Sequence, residues 1–166
     1  MFSAVGVAVS FMFATASCEH QADGSERQLL ATVDSFATVY FNCQYHLAEK
    51  FCTPESRQWI SYAASQLTQD DIDFINQQEE RATIELGDVA YDGDTAAFVN
   101  LSVHNYLKMD TIGGKPHMAK EDDYRLLVVK QDGQKRWKVS LKTMPRAEKG
   151  AGKPFFLPEC FAVPTN

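Results

Sequence analysis

Charge is missing from the start of this 166-residue chain: Met1–Ser17 carry no charged side chain, and the first is Glu19. The apolar run within that stretch, Ala4–Ala14, is too short to cross a bilayer, which takes about 20 apolar residues. No internal repeat appears. No glycine-rich phosphate loop follows a strand pattern, since Gly113-Gly114 falls between strands. Neither a Ser-His-acid pattern nor Gly-x-Ser-x-Gly is present, so hydrolase chemistry of those types has no carrier. His20, His46, His104 and His117 are scattered without the short spacing of a zinc site, so no metal and no cofactor is expected. A net charge of −6 argues against a nucleic-acid partner.

The composition, 45% apolar and 23% charged, is that of one globular domain with enough chain to bury a core without metal or disulfide support. It excludes collagen-like, disordered and coiled-coil classes. Ala4–Ala14 has the length of a signal-peptide core. Thr15-Ala16-Ser17 and Cys18 follow, then polar Glu19-His20-Gln21. This succession resembles a bacterial lipoprotein signal, with Thr15 where leucine is frequent and without a basic leader. The resemblance implies cleavage before Cys18 and lipidation of that residue, placing the protein in the cell envelope, held to a membrane by acyl chains. An ordinary secretory signal and a cytosolic chain are the alternatives. Residues 1–17 then form the signal, 18–27 a polar tether, 28–143 the domain, and 144–166 a Pro- and Gly-containing tail. That tail's Phe155-Phe156-Leu157 and Phe161 call for packing back onto the body.

Apolar residues from Leu29 recur at helical spacing (Leu29, Val33, Phe36, Ala37, Tyr40), predicting a helix over 27–42. A shorter helix carries Leu47, Ala48 and Phe51. Thr53-Pro54-Glu55 starts a third, with Trp59, Ile60, Ala63 and Leu67. Thr68-Gln69-Asp70-Asp71 starts a fourth, with Ile72 and Ile75. After Arg81 the period becomes two. Ala82, Ile84 and Leu86 alternate with polar residues, Gly87-Asp88 breaks the phase as a bulge does, and Asp92-Gly93-Asp94 reads as a hairpin turn. A long strand over 95–109 presents Ala97, Val99, Leu101, Val103 and Leu107 on one face, with Phe98, Asn100, Ser102, His104 and Tyr106 on the other. A loop over 110–120, a strand over 124–130 and a strand over 136–142 complete the pattern. Helices followed by strands joined by short turns predict an α+β fold: N-terminal helices packed on a four-stranded antiparallel sheet.

The element order together with Tyr40-Phe41-Asn42, Tyr45, Ala48, Phe51 and Thr53-Pro54-Glu55 resembles the nuclear transport factor two-like (cystatin-like) superfamily, and its small secreted lipoproteins in particular. The resemblance covers about residues 28–143. It implies a cone whose pocket serves isomerisation, dehydration, ligand binding or protein contact in different relatives, so it specifies no reaction. In the isomerase branch a catalytic tyrosine on the first helix falls near Phe36 of this chain, which has no hydroxyl.

Candidate pocket residues are Tyr40, Trp59, Asn100, His104 and Tyr106. Asn100, Ser102, His104 and Tyr106 either line the pocket, with His104 placed to move a proton, or form a solvated outer face. With Cys18 lipidated, Cys43, Cys52 and Cys160 remain, and three thiols do not all pair. Cys160 is placed to join either of the other two; a Cys52–Cys160 bond closes 108 residues and contributes roughly 4.7 kcal/mol in the chain-entropy model. Three buried thiols are the alternative. Net charge is −6 over 28–80 and +2 over 81–166. The functional expectation is a non-enzymatic, membrane-anchored module binding a small ligand or an envelope protein. The alternatives are an isomerase- or dehydratase-like enzyme working through His104 and Tyr40, and a protein that dimerises through its sheet.

Overall fold

Leu29, Val33, Phe36, Ala37 and Tyr40, the apolar stripe of the first helical pattern, are all buried in the computed structural model, which describes residues 24–109, 116–131 and 136–148. They lie on helix α1 (Gly24–Phe41), which begins three residues before the expected Arg27. Residues 1–23, with the expected signal and Cys18, and residues 149–166, with Cys160, lie outside the described residues. Helix α1 stops in a Schellman geometry: the Cys43 N–H donates to Tyr40 O (3.0 Å) and the Gln44 N–H to Val39 O (2.8 Å). Cys43 takes the left-handed conformation there (φ 59°), a position glycine usually fills.

Helix α2 (Tyr45–Ala48) follows. Thr53-Pro54-Glu55 then restarts the chain, as a 3-10 turn (Pro54–Ser56) leading into α3 (Arg57–Gln66). The Thr53 hydroxyl pairs with the Ser56 hydroxyl at 2.8 Å and makes no side-chain cap. Helix α4 (Gln69–Gln77) does open on a capping box. Thr68 Oγ1 accepts from the Asp71 N–H, and Asp71 Oδ2 accepts from the Thr68 N–H. Yet α4 buries none of its residues.

Four strands follow in meander order, each antiparallel to the next: β1 (Thr83–Asp92), β2 (Ala96–Lys108), β3 (His117–Lys130) and β4 (Trp137–Ser140). The fold is therefore the expected α+β, helices first and then an open four-stranded antiparallel sheet. The bulge falls between Leu86 and Val89, around Gly87-Asp88. Gly93 supplies the positive φ (67°) of the hairpin turn. Strand β3 is the main departure. It begins at His117 rather than Tyr124, because β2 offers thirteen residues of partner and pairs as far as Lys108 with His117. The run Lys120-Glu121-Asp122-Asp123 hides this extension from any alternation in hydropathy.

Helix α1 crosses one face of the sheet and touches all four strands. Ala97, Val99, Leu101 and Val103 of β2, Tyr124, Leu126 and Val128 of β3, and Trp137 and Val139 of β4 meet it there. Two polar clasps lock helices to strands. The Asn42 side chain binds both backbone groups of Ala82, Nδ2 donating to the carbonyl and Oδ1 accepting from the N–H, each at 3.1 Å. Fully buried Ser56 accepts the Leu141 N–H at 2.8 Å, while Thr53 N–H donates to Val139 O and Val139 N–H to Phe51 O, covering the edge of β4.

Removing either clasp strands a sheltered backbone group. Asn42→Ala and Ser56→Ala will each lower the unfolding free energy by about 1–3 kcal/mol in urea titrations, with Gln58→Ala within about 0.5 kcal/mol of the parent.

Candidate functional site

Alternation along β2 changes phase at Asn105, which sits at φ 53°. Val103 faces the helices; two positions would normally separate the next residue on that face, but the left-handed Asn105 turns Tyr106 inward instead. Tyr106 is therefore buried and bonded to Tyr124, itself on the helix-covered face. The expectation that Tyr106 shares a face with Asn100 and His104 is corrected accordingly. A single non-glycine residue with positive φ inside a strand leaves no reliable mark in sequence periodicity.

Around Tyr106 the sheet assembles one linked polar cluster. Tyr106 Oη donates to Asp122 Oδ2 (2.7 Å) and lies 2.7 Å from Tyr124 Oη. Lys108 Nζ reaches both Asp122 oxygens at 2.9 and 3.0 Å. The Phe41 ring closes over both tyrosines, its centroid 5.3 Å from Tyr106 and 4.7 Å from Tyr124. Burial alone would raise the Asp122 pKa. The hydrogen bonds from Tyr106 and Lys108, with the positive charge of Lys108 and that of His117, outweigh it and hold the carboxyl below its ordinary range. An ionised carboxylate only accepts, so the Tyr106 proton points at Asp122 and Tyr124 donates to Tyr106. Burial, then the bonds to Tyr124 and Asp122, push the Tyr106 phenol far above its ordinary value.

This is a settled network. Its carboxylate is too weak a base and its phenol too weak an acid to exchange protons near neutral pH. Tyr40 is likewise a core anchor, stacked on Phe36 at 5.4 Å and edge-on to Phe41 and Tyr45 at 5.3 Å, its phenol pushed up chiefly by burial.

The remaining candidates are dispersed. Trp59 is half-buried on α3, against the core. Asn100 is exposed, and His104 lies on the outer face, its side chain 29% exposed between Glu85 (3.9 Å) and Glu121 (3.8 Å). Ser102 bonded to Asp123 and Arg125 stacked 4.3 Å over Phe98 continue that outer polar ladder. His104 and Tyr40 thus lie on opposite sides of the sheet. Cys43 and Cys52 are not bonded to each other; Tyr45 Oη donates to the Cys43 sulfur (3.9 Å), and the Cys52 thiol to Glu49 O (3.6 Å). Among the described residues no three His, Cys, Asp or Glu side chains gather as a metal site, and no helix is long and apolar enough to cross a membrane.

Beside the tyrosine cluster, a groove runs between α4 and the ends of β2 and β3. Phe41, Tyr106 and Leu107 form its floor, Ile75 and Met118 its apolar walls, and Glu80 and Arg81 its rim. Its sheltered volume is about 10 Å³, the room of one water and far below the hundreds of Å³ of a small-molecule pocket. Sequence reasoning missed this groove, because Met118 fell in an expected loop and Ile75 was read only as part of the fourth helix.

No protein-family model and no curated protein matches the chain. It is similar in structure to a nuclear transport factor 2-like superfamily protein from Salmonella enterica serovar Typhimurium (TM-score 0.45, 12% identity, over 79% of this chain and 97% of that one). It is also similar to an Ntf2-like protein involved in plasmid conjugation (TM-score 0.40, 12% identity, over 80% of this chain). The chain spans about half of that second protein, 52% of its length.

Two titrations check the cluster. The Asp122 contribution to stability is full above the unfolded carboxyl value of 3.8 and is lost as pH falls through the lower folded value. Asp122→Asn will therefore flatten the acid limb of the stability–pH curve, read by urea midpoints from pH 2 to 6. In the alkaline direction, Tyr40, Tyr45 and Tyr106 will stay protonated as pH rises through 10.0. Their stabilising effect, complete below that value, then declines, so their absorbance at ~295 nm will appear only together with unfolding.

Proposed function

We propose that this protein is a non-enzymatic binding module, fastened to a membrane of the cell envelope through lipidated Cys18, that engages a protein partner along the groove between α4 and β3. The observation that carries this reading is the closed Tyr124–Tyr106–Asp122–Lys108 network: the acid–base groups of the helix-covered face bind one another instead of converging on open space. Small-molecule binding has less support. The space between α1 and the sheet is filled by Phe36, Tyr40, Phe41, Tyr106 and Tyr124, and the groove shelters no more than a water.

A shallow apolar trough suits side chains laid across it by a peptide segment. Helix α4 adds to that surface, with Ile72 and Phe74 at 40% and 44% exposure on an otherwise acidic helix. Ile72 lies one helical turn from Ile75, so it extends the apolar wall of the groove. The polar residues 18–23 ahead of α1 give a short spacer between a lipid anchor and the body.

Two experiments test the two halves. Cys18→Ser will move the protein from the membrane fraction to the soluble fraction of its own host, and mass spectrometry of the parent will find acylated Cys18 at the mature N-terminus; an unmodified Cys18 still joined to Ser17 defeats the anchor. A photo-crosslinking residue at Phe74 will give a heavier, heteromeric adduct in that host, whereas one at Gln58 will not. Native mass spectrometry showing a stoichiometric small molecule, or an adduct made only of two copies of this chain, would replace the reading with ligand carriage or self-association.

A further inference from the structure

The course of the chain beyond β4 points at the groove. Strand β4 pairs with only Leu127–Lys130, so β3 runs on past it toward His117. The chain then returns to that flank, the Glu148 N–H donating to Asp123 O at 2.8 Å, with Met144 and Ala147 packed against the core. Two anchors set the direction. Ser140 lies opposite Leu127 and Glu148 opposite Asp123, so the chain travels down β3 toward Met118, which is 37% exposed at the groove wall.

Asp123 to Met118 is five residues, about 17 Å at strand rise. From Glu148 to Phe155 is seven residues, which reach about 23 Å when extended. The sequence ahead, Lys149-Gly-Ala-Gly-Lys153-Pro154, has two positive charges, complementary to Asp70, Asp71, Asp73, Glu79 and Glu80 on and after α4. Phe155-Phe156-Leu157, the most apolar triplet after Leu141, comes next, at a chain length that spans the distance to the groove. Pro154 is suited to end an extended pairing just before that triplet, since it has no N–H to donate.

We propose that Phe155, Phe156 and Leu157 of the same chain are the resting occupant of the groove, lying between Ile75 and Met118, and that a partner binds there by displacing them. The occupancy stands on the geometry of β3 and Glu148; only the displacement rests on the reading of the groove as a contact surface.

Peroxide footprinting of the full chain tests the occupancy. Met118 will oxidise at least about fivefold more slowly in the parent than in a Phe155→Ser/Phe156→Ser/Leu157→Ser variant, at ten-micromolar order and at a tenth of it. Met109, half-buried against the core, will oxidise at the same rate in both and so reports an intact fold. In a second variant, Met118→Asp, which alters one exposed side chain, trypsin will cut after Lys149 several-fold faster than in the parent. Equal Met118 rates in parent and triple variant overturn the proposal. Protection that grows with concentration and persists in the triple variant overturns it too, by showing that a second copy covers the groove. Either failure leaves the Phe74 crosslinking result, and hence the contact-surface reading, to stand or fall separately.

Discussion

Phe41 lying over the Tyr106–Tyr124 pair is the contact on which the arrangement depends. It joins the end of α1 to the part of the sheet where β2 and β3 run on beyond β4. Two phenols brought under an apolar ring need their hydroxyls satisfied, since a buried unpaired hydroxyl costs about 1–3 kcal/mol. Asp122 satisfies one, Tyr106 the other, and Lys108 balances the carboxylate. Each group in the chain makes the next tolerable, and the outcome is a polar seam that closes the end of the core.

That closure leaves the acid–base groups of the seam bonded to one another. A catalytic pair needs pKa values brought toward neutrality, one carboxyl raised or one phenol lowered. Here the shifts run the opposite way: Asp122 goes down and Tyr106 goes up. His104 is held on the outer face between two glutamates. Beside the seam, Ile75 and Met118 line a shallow groove.

Much of the architecture was legible along the chain. The helix stripe of Leu29, Val33, Phe36, Ala37 and Tyr40, the Thr68 box, the Gly87-Asp88 bulge and the Gly93 turn are local patterns, and local patterns encode local structure. The start of β3 was not legible, because the strand there is held by hydrogen bonds to β2 and its charged residues obey no alternation. The site was less legible still. Tyr40 and Tyr106 were identified as candidates but serve as core, and Asp122, Lys108, Ile75 and Met118 were not singled out. Their proximity comes from strand register and one backbone dihedral, neither of which leaves a compositional trace.

Hydrophobic period and cap chemistry, read from the chain alone, determined that helices precede an antiparallel sheet and which faces are buried, because those signals depend on neighbours a few residues away. Tertiary structure alone decided that Asn105 turns Tyr106 inward, that His104 stays outside, and that Tyr106, Tyr124 and Asp122 bond to one another. Those outcomes depend on how residues twenty or more positions apart share one small volume, and packing of that kind is a property of the assembled fold.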